Sequence, residues 1–248
     1  MSVIYALWLR ELKRYVRSRA QIVASLGQPV LYLLALGFGM GPVFQKAGQG
    51  SYVQFVAPGI IAMTVLFSSI FSGMGLLWDR QFGFLKETLV APVPRIQIML
   101  GRTLGAATVA MCQGTLVAII CLVAGFRAVD LAMLPLAFLF MALIACLFSA
   151  LGTAIGSSLQ NIQGFQMIMN FLVLPIFFLS GALYPLGNLP AAMKVATRLD
   201  PLSYGVDGLR TTLIGVSHFG LATDAAVLLV GTILLLLLGR HLFSKIQV

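Results

Sequence analysis

Residues 131–193, 63 in a row between Asp130 and Lys194, carry no formally charged side chain. A helix needs about 20 apolar residues to cross a bilayer, so this run is too long for one crossing and must double back. The polar cluster Ser157, Ser158, Gln160, Asn161 and Gln163 marks the turn, which predicts spans at 131–157 and 164–183. The other long uncharged or nearly uncharged stretches place spans at 20–40, 55–77, 96–124 and 222–239. Only 9% of the chain is charged and 60% is hydrophobic, where a soluble domain carries roughly a quarter charged residues. Apolar and polar residues do not alternate at period two, which argues against a lipid-embedded barrel. The expected fold is an all-α polytopic membrane protein with six transmembrane helices, forming a single domain over residues 1–248.

Ahead of the first span, residues 3–19 read as an amphipathic helix. Arg10, Lys13, Arg14 and Arg17 fall at i, i+3, i+4 and i+7, a basic stripe, with Trp8, Leu12, Tyr15 and Val16 expected opposite. That pattern suits a helix lying in the membrane interface against anionic headgroups, and a docking helix for a soluble partner is the rival. The segment is expected to be retained, because its charged part runs to Arg19 and the apolar stretch that follows is span-length without a clear cleavage pattern.

Between spans two and three, residues 78–95 read WDRQFGFLKETLVAPVPR. Phe82, Leu85 and Leu89 recur at helical spacing, predicting a short two-faced helix over 82–90. Pro92 cannot continue it, and Pro94 is placed to open the next helix. Such a helix could lie flat on headgroups or dock to a protein. Asp79-Arg80, Gly83-Phe84-Leu85, Glu87-Thr88-Leu89 and Pro92-Val93-Pro94-Arg95 resemble the membrane subunit of ABC-2 type exporters, among them permeases for nodulation, daunorubicin resistance and polysaccharide export. The resemblance implies that Asp79, Arg80, Phe82, Gly83, Phe84, Leu85, Glu87, Leu89, Pro92, Pro94 and Arg95 belong to a coupling helix seated in a groove of a separate ATPase. It further implies two copies of this chain, or this chain with a similar permease, working with two ATPase subunits. ATP and Mg would be held by the ATPase and no cofactor by this chain.

From 184 to 221 prolines and charges return, predicting short extracytoplasmic helices at 189–199 and 203–215, the second capped by Ser203. Pro201, Tyr204, Asp207 and Arg210, within PLSYGVDGLR, also resemble the ABC-2 family, where this region folds partly back into the outer leaflet. A cap that merely seals the bundle is the alternative. Six spans put both termini on one side. That side collects Arg10, Lys13, Arg14, Arg17, Arg19, Arg80, Lys86, Arg95, Arg102, Arg240 and Lys245, against Lys46, Arg127, Lys194, Arg198 and Arg210 on the other. The positive-inside rule then predicts cytoplasmic termini and a cytoplasmic 78–95 loop, and the resemblance implies a bacterial inner membrane. The net charge of +9 is therefore read as topology and lipid contact, with no nucleic-acid partner expected.

No Gly-Lys dipeptide is present for a phosphate-cradling loop, and no hydrolase motif appears, so the chain is not expected to be an enzyme by itself. Cys112, Cys121 and Cys146 lie in uncharged runs without CxxC spacing and are expected to pack; no metal site is expected. Arg102, near the start of span three, is expected to snorkel to the headgroups. Gly37/Gly41, Gly101/Gly105 and Gly152/Gly156 read as helix-packing pairs. The mid-span polar residues Gln113 and Asn170 could line a pathway or hydrogen-bond between helices. With no ionisable group near mid-depth to bind a driving ion, the energy should come from outside the spans. The expected function is a permease subunit exporting an amphipathic, lipid-linked or glycan substrate. The rivals are an ATPase-independent channel or carrier, and a non-transporting scaffold.

Overall fold

The computed structural model describes residues 2–46, 51–84, 93–186 and 190–244. Most of these are helical, with no strand among them. The helices are α1 (Val3–Arg17), α2 (Arg19–Lys46), α3 (Tyr52–Phe71), α4 (Met74–Gln81), α5 (Arg95–Val123), α6 (Leu134–Ser158), α7 (Ile162–Leu179), α8 (Ala191–Leu199), α9 (Pro201–Ile214) and α10 (Leu221–Ser244). A single 3₁₀ turn, Leu131–Met133, precedes α6. Among the described residues six stretches are long and apolar enough to cross a membrane: α2, α3 with α4, α5, the 3₁₀ turn with α6, α7, and α10.

Helix α3 is the axis of the bundle. Val56, Ala57, Ile60, Ile61, Ala62, Val65 and Leu66 are each at most 1% exposed, with α5, α6 and α9 packed around them. By contrast α2 and α10 keep broad apolar faces at the surface, Phe38 at 79% and Leu234 at 60% exposed. In water that would be a large penalty; in lipid it is neutral, and close packing rather than hydrophobicity holds the helices together. Small residues provide that closeness. A Cβ on Gly152 or Gly73 would run into the backbone of Ile70 or Gly152 respectively, so α6 crosses the α3–α4 junction backbone to backbone. Gly156 abuts the Gly73 carbonyl, and Gly101 and Gly105 receive α1. The third pair differs: Gly37 touches Val53, but Gly41 faces open space because α2 lies on the rim.

Helix boundaries depart from expectation at several places, α2 for one running to Lys46 rather than to 40, and three shifts bear on the site. The second span starts earlier and runs through Trp78–Gln81, residues expected in the loop. It is broken at Ser72–Gly73, where the Gly73 N–H donates to Ile70 and that of Gly75 to Ser72, both at 3.0 Å. The expected helix start at Phe82 is instead a helix stop. Phe82 caps α4 and Gly83 takes φ +83°, a left-handed conformation that favours glycine. The third shift is at α9, which begins at Pro201 rather than Ser203. The Asp200 carboxylate accepts the Leu202 N–H at 2.9 Å, and Pro201 at the first turn lacks an N–H to satisfy.

Helix α9 does not lie over the bundle as a seal. Helix α9 is wedged among α3, α6 and α10, with Leu202, Ser203, Gly205, Val206, Asp207, Gly208, Leu209 and Arg210 all buried. It fits because Gly205 and Gly208 lie against Ile144 and Phe140, where any Cβ would collide.

A candidate coupling face

Asp79 stands in the last turn of α4 and is 5% exposed. Its carboxylate accepts Nη2 of Arg10 at 2.6 and 2.5 Å and Nη2 of Arg102. Arg102 is 6% exposed and does not snorkel; an acid within reach is a better partner than a distant headgroup. Arg10 arrives because α1 lies across α5 at Gly101 and Gly105. There the Cβ atoms of Leu7 and Glu11 stand 3.0 and 2.8 Å from where glycine side chains would begin. A bond from Trp8 Nε1 to Thr108 Oγ1, 3.0 Å, sets the register. The acid thereby ties α4, α1 and α5 into one unit. Buried ion pairs of this kind contribute more to fixing geometry than to net stability.

Arg80, one residue on, points the other way. Its Nη1 donates to the Leu159 carbonyl at 3.2 Å, in the turn between α6 and α7. That turn is itself ordered: Ser157 and Ser158 donate back to Ala154, and Asn161 caps α7 by accepting the Gly164 N–H at 2.7 Å. Two loops on the same side of the bundle thus meet at one place. Around it Trp78, Phe82 and Phe84 are 50%, 73% and 54% exposed. Pro94 caps α5, which Arg95 opens, and both are exposed. Leu85, Glu87, Leu89 and Pro92 lie outside the described residues.

The basic stripe of α1 divides. Arg10 is drawn to Asp79, while Arg14 pairs with Glu11 at 2.7 Å and lies against Gly75. Lys13 and Arg17 remain exposed. Of the residues expected opposite the stripe, Tyr15 is buried but Val16 is 63% exposed, because α1 buries only the narrow face that meets α5 and α4. Of the two mid-span amides, Gln113 is buried at 5% exposure, whereas Asn170 is exposed on α7.

In the segment between α7 and α10 Tyr204 donates to the Arg198 carbonyl at 2.8 Å and its ring lies 4.7 Å from that of Phe219. The Asp207 carboxylate accepts the N–H groups of His218 and Phe219 at 2.9 and 2.7 Å, pinning the α9–α10 connection. Arg210 donates to the Gly181 carbonyl at 3.1 Å and its guanidinium sits 4.1 Å over the Phe55 ring. These residues fasten α9 to its neighbours. Burial pushes the Asp200 carboxyl up to about 7, against the pull of the Leu202 and Ser203 hydrogen bonds. Asp224, in the first turn of α10, is fully buried and neither carboxylate oxygen has a hydrogen-bond partner among the described residues.

Arg102 was not foreseen as a cluster member. Its signal was present: Glu11, Asp79 and Glu87 are the only acids on a side with eleven cations, so a buried one there must be shared.

A family model described as ABC-2 type transporter matches residues 2–214. The chain is similar to Nodulation protein J of Rhizobium meliloti (strain 1021), 27% identical over 225 residues, covering 89% of this chain and 85% of the relative. It is also similar to the inner membrane transport permease YadH of Escherichia coli (strain K12), 28% identical over 227 residues, covering 91% and 88%. A third relative is the putative transport permease ycf38 of Cyanophora paradoxa, 26% identical over 243 residues, covering 91% and 82%.

Proposed function

Because the chain belongs to the ABC-2 type transporter family and is a multi-pass membrane transport subunit, we propose that it is the permease of an ATP-driven exporter. Two copies work with two cytoplasmic ATPase subunits, which hold the ATP and Mg. The cargo is amphipathic, lipid-linked or glycan. The observation that carries this reading is the meeting of the two loops through Arg80 and Leu159, with Phe82 and Phe84 exposed beside it. Greasy side chains beside an ordered polar turn form a docking face for a protein.

In this mechanism ATP binding draws the two ATPases together and displaces the loop. Asp79 carries the displacement to α1 and α5, since a clamp on both leaves little slack. The break at Ser72–Gly73 lets α4 pivot against α3 while the Gly152 and Gly156 contacts keep it seated on α6. The broad exposed face of α7 supplies surface for a second copy, with the pathway between the copies.

The test is substitution of the docking face. Phe84→Asp, or Leu85→Asp or Leu89→Asp, should leave membrane insertion intact while the reconstituted complex hydrolyses ATP without moving cargo. Normal export by these variants would remove the coupling role.

A further inference from the structure

Beside the charge cluster lies a cavity of about 350 Å³ bounded by α1, α2, α3, α4 and α5. That is the small end of the ~300–1,000 Å³ typical of small-molecule sites. Its lining is mainly apolar, but polar side chains enter it from α1, α2, α3 and α5. Gln21 and Gln28, two helical turns apart on one face of α2, both line it and both are exposed. Helix α5 adds the buried amide of Gln113. Helix α1 adds Tyr15, 6% exposed, whose hydroxyl makes no hydrogen bond of good geometry although Gln113 lies beside it. The Tyr15 hydroxyl is left without a well-formed hydrogen bond in a recess that three amides also line, and a polar group taken out of water without a partner is unfavourable, so a polar occupant is favoured there.

The charge balance restricts what that occupant is. Glu11 and Arg14 also line the recess, but they pair with each other, and the Arg14 guanidinium is laid on Gly75. The recess therefore offers no unpaired formal charge. Phe67 and Phe71 present near-parallel rings, 14° apart, along its α3 wall. Neutral amides, an unused hydroxyl and flat aromatic faces match a group rich in hydroxyls or amides. A phosphate or an ammonium would enter without a counter-charge.

We propose that this cavity binds the uncharged, hydroxyl- or amide-rich head group of an amphiphile drawn from the leaflet on the α1 side, its tail remaining in lipid. Taking this as the cargo-loading site rests on the exporter function above; the binding itself does not.

The purified chain in phosphatidylcholine nanodiscs is photolabelled with a diazirine-bearing alkyl glucoside and, in parallel, with an alkyl phosphate of the same chain length. The expected result is saturable glucoside labelling of peptides around Gln28, Thr64 and Gln113, with the phosphate weaker. Gln28→Leu and Gln113→Leu should each reduce it by about fivefold, the loss of one hydrogen bond. Gln28 is exposed, so its variant keeps the test open if the Gln113 variant melts early. Unsaturable labelling spread over the lipid-facing helices would overturn the site, as would a phosphate probe labelling equally or labelling indifferent to both substitutions. Intact labelling in a chain that exports nothing with its ATPase would overturn the exporter function and leave the site. Absent labelling with intact export would overturn the site alone.

Discussion

Replacing Asp79 by Ala should be among the most damaging single substitutions in this chain. It leaves Arg102, with a side chain 7% exposed, buried without its counter-charge. Removing one partner of a buried pair costs about 3–5 kcal/mol. The Arg10 arm contributes less, since that side chain is 37% exposed and solvent-screened pairs are worth about 0–1 kcal/mol. At roughly 2–4 °C per kcal/mol for a chain of this size, the melting temperature should fall on the order of 10 °C. The assay is a thiol-reactive dye at fixed scan rate, in a Cys112→Ser background because Cys112 is exposed, reporting the fully buried Cys121 as the bundle opens. The double variant Asp79→Leu/Arg102→Leu removes both charges, and buried pairs replaced by apolar residues of similar size are often neutral or better. It should recover most of the loss. Asp79→Ala melting within about 3 °C of the parent, or a double variant no better than the single, would refute the buried-pair account.

Other outcomes follow from the same structure. Gly73→Ala forces a methyl group into the Gly152 carbonyl and should cost about 1–3 kcal/mol, read by the same dye, while Gly41→Ala, facing open space, should change nothing. Trp8→Phe and Thr108→Val should be coupled by about 1 kcal/mol in a double-mutant cycle, since both remove the bond that sets α1 on α5. The raised Asp200 carboxyl means that the fold favours the protonated form. Its stabilisation is complete below the ordinary value of 3.8 and is lost as pH rises through about 7. Melting temperature should therefore drop between pH 5.5 and 8.5, and Asp200→Asn, which still caps α9, should flatten that dependence.

Much of the architecture was legible along the chain. The 63-residue uncharged run required a reversal, and the polar cluster at 157–163 placed it where α6 gives way to α7. The glycine pairs at 101/105 and 152/156 were correctly taken as contacts, yet nothing in the spacing said that α1 would occupy one and the α3–α4 junction the other. Span two was misjudged at its end because Trp78, Asp79 and Arg80 look like loop residues when each is considered without its partner.

By itself the sequence determined how many times the chain crosses, which helix is amphipathic and where the cations gather. These depend on runs of neighbouring residues and on the length of a helix relative to a bilayer. Only the tertiary structure decided that Asp79 meets Arg10 and Arg102, 69 and 23 positions away, that α9 sits inside the bundle, and that Gln113 and Asn170 part company. In lipid every helix face is nearly equivalent until another helix covers it. Shape complementarity between distant segments, which hydropathy does not encode, therefore chooses the polar neighbours.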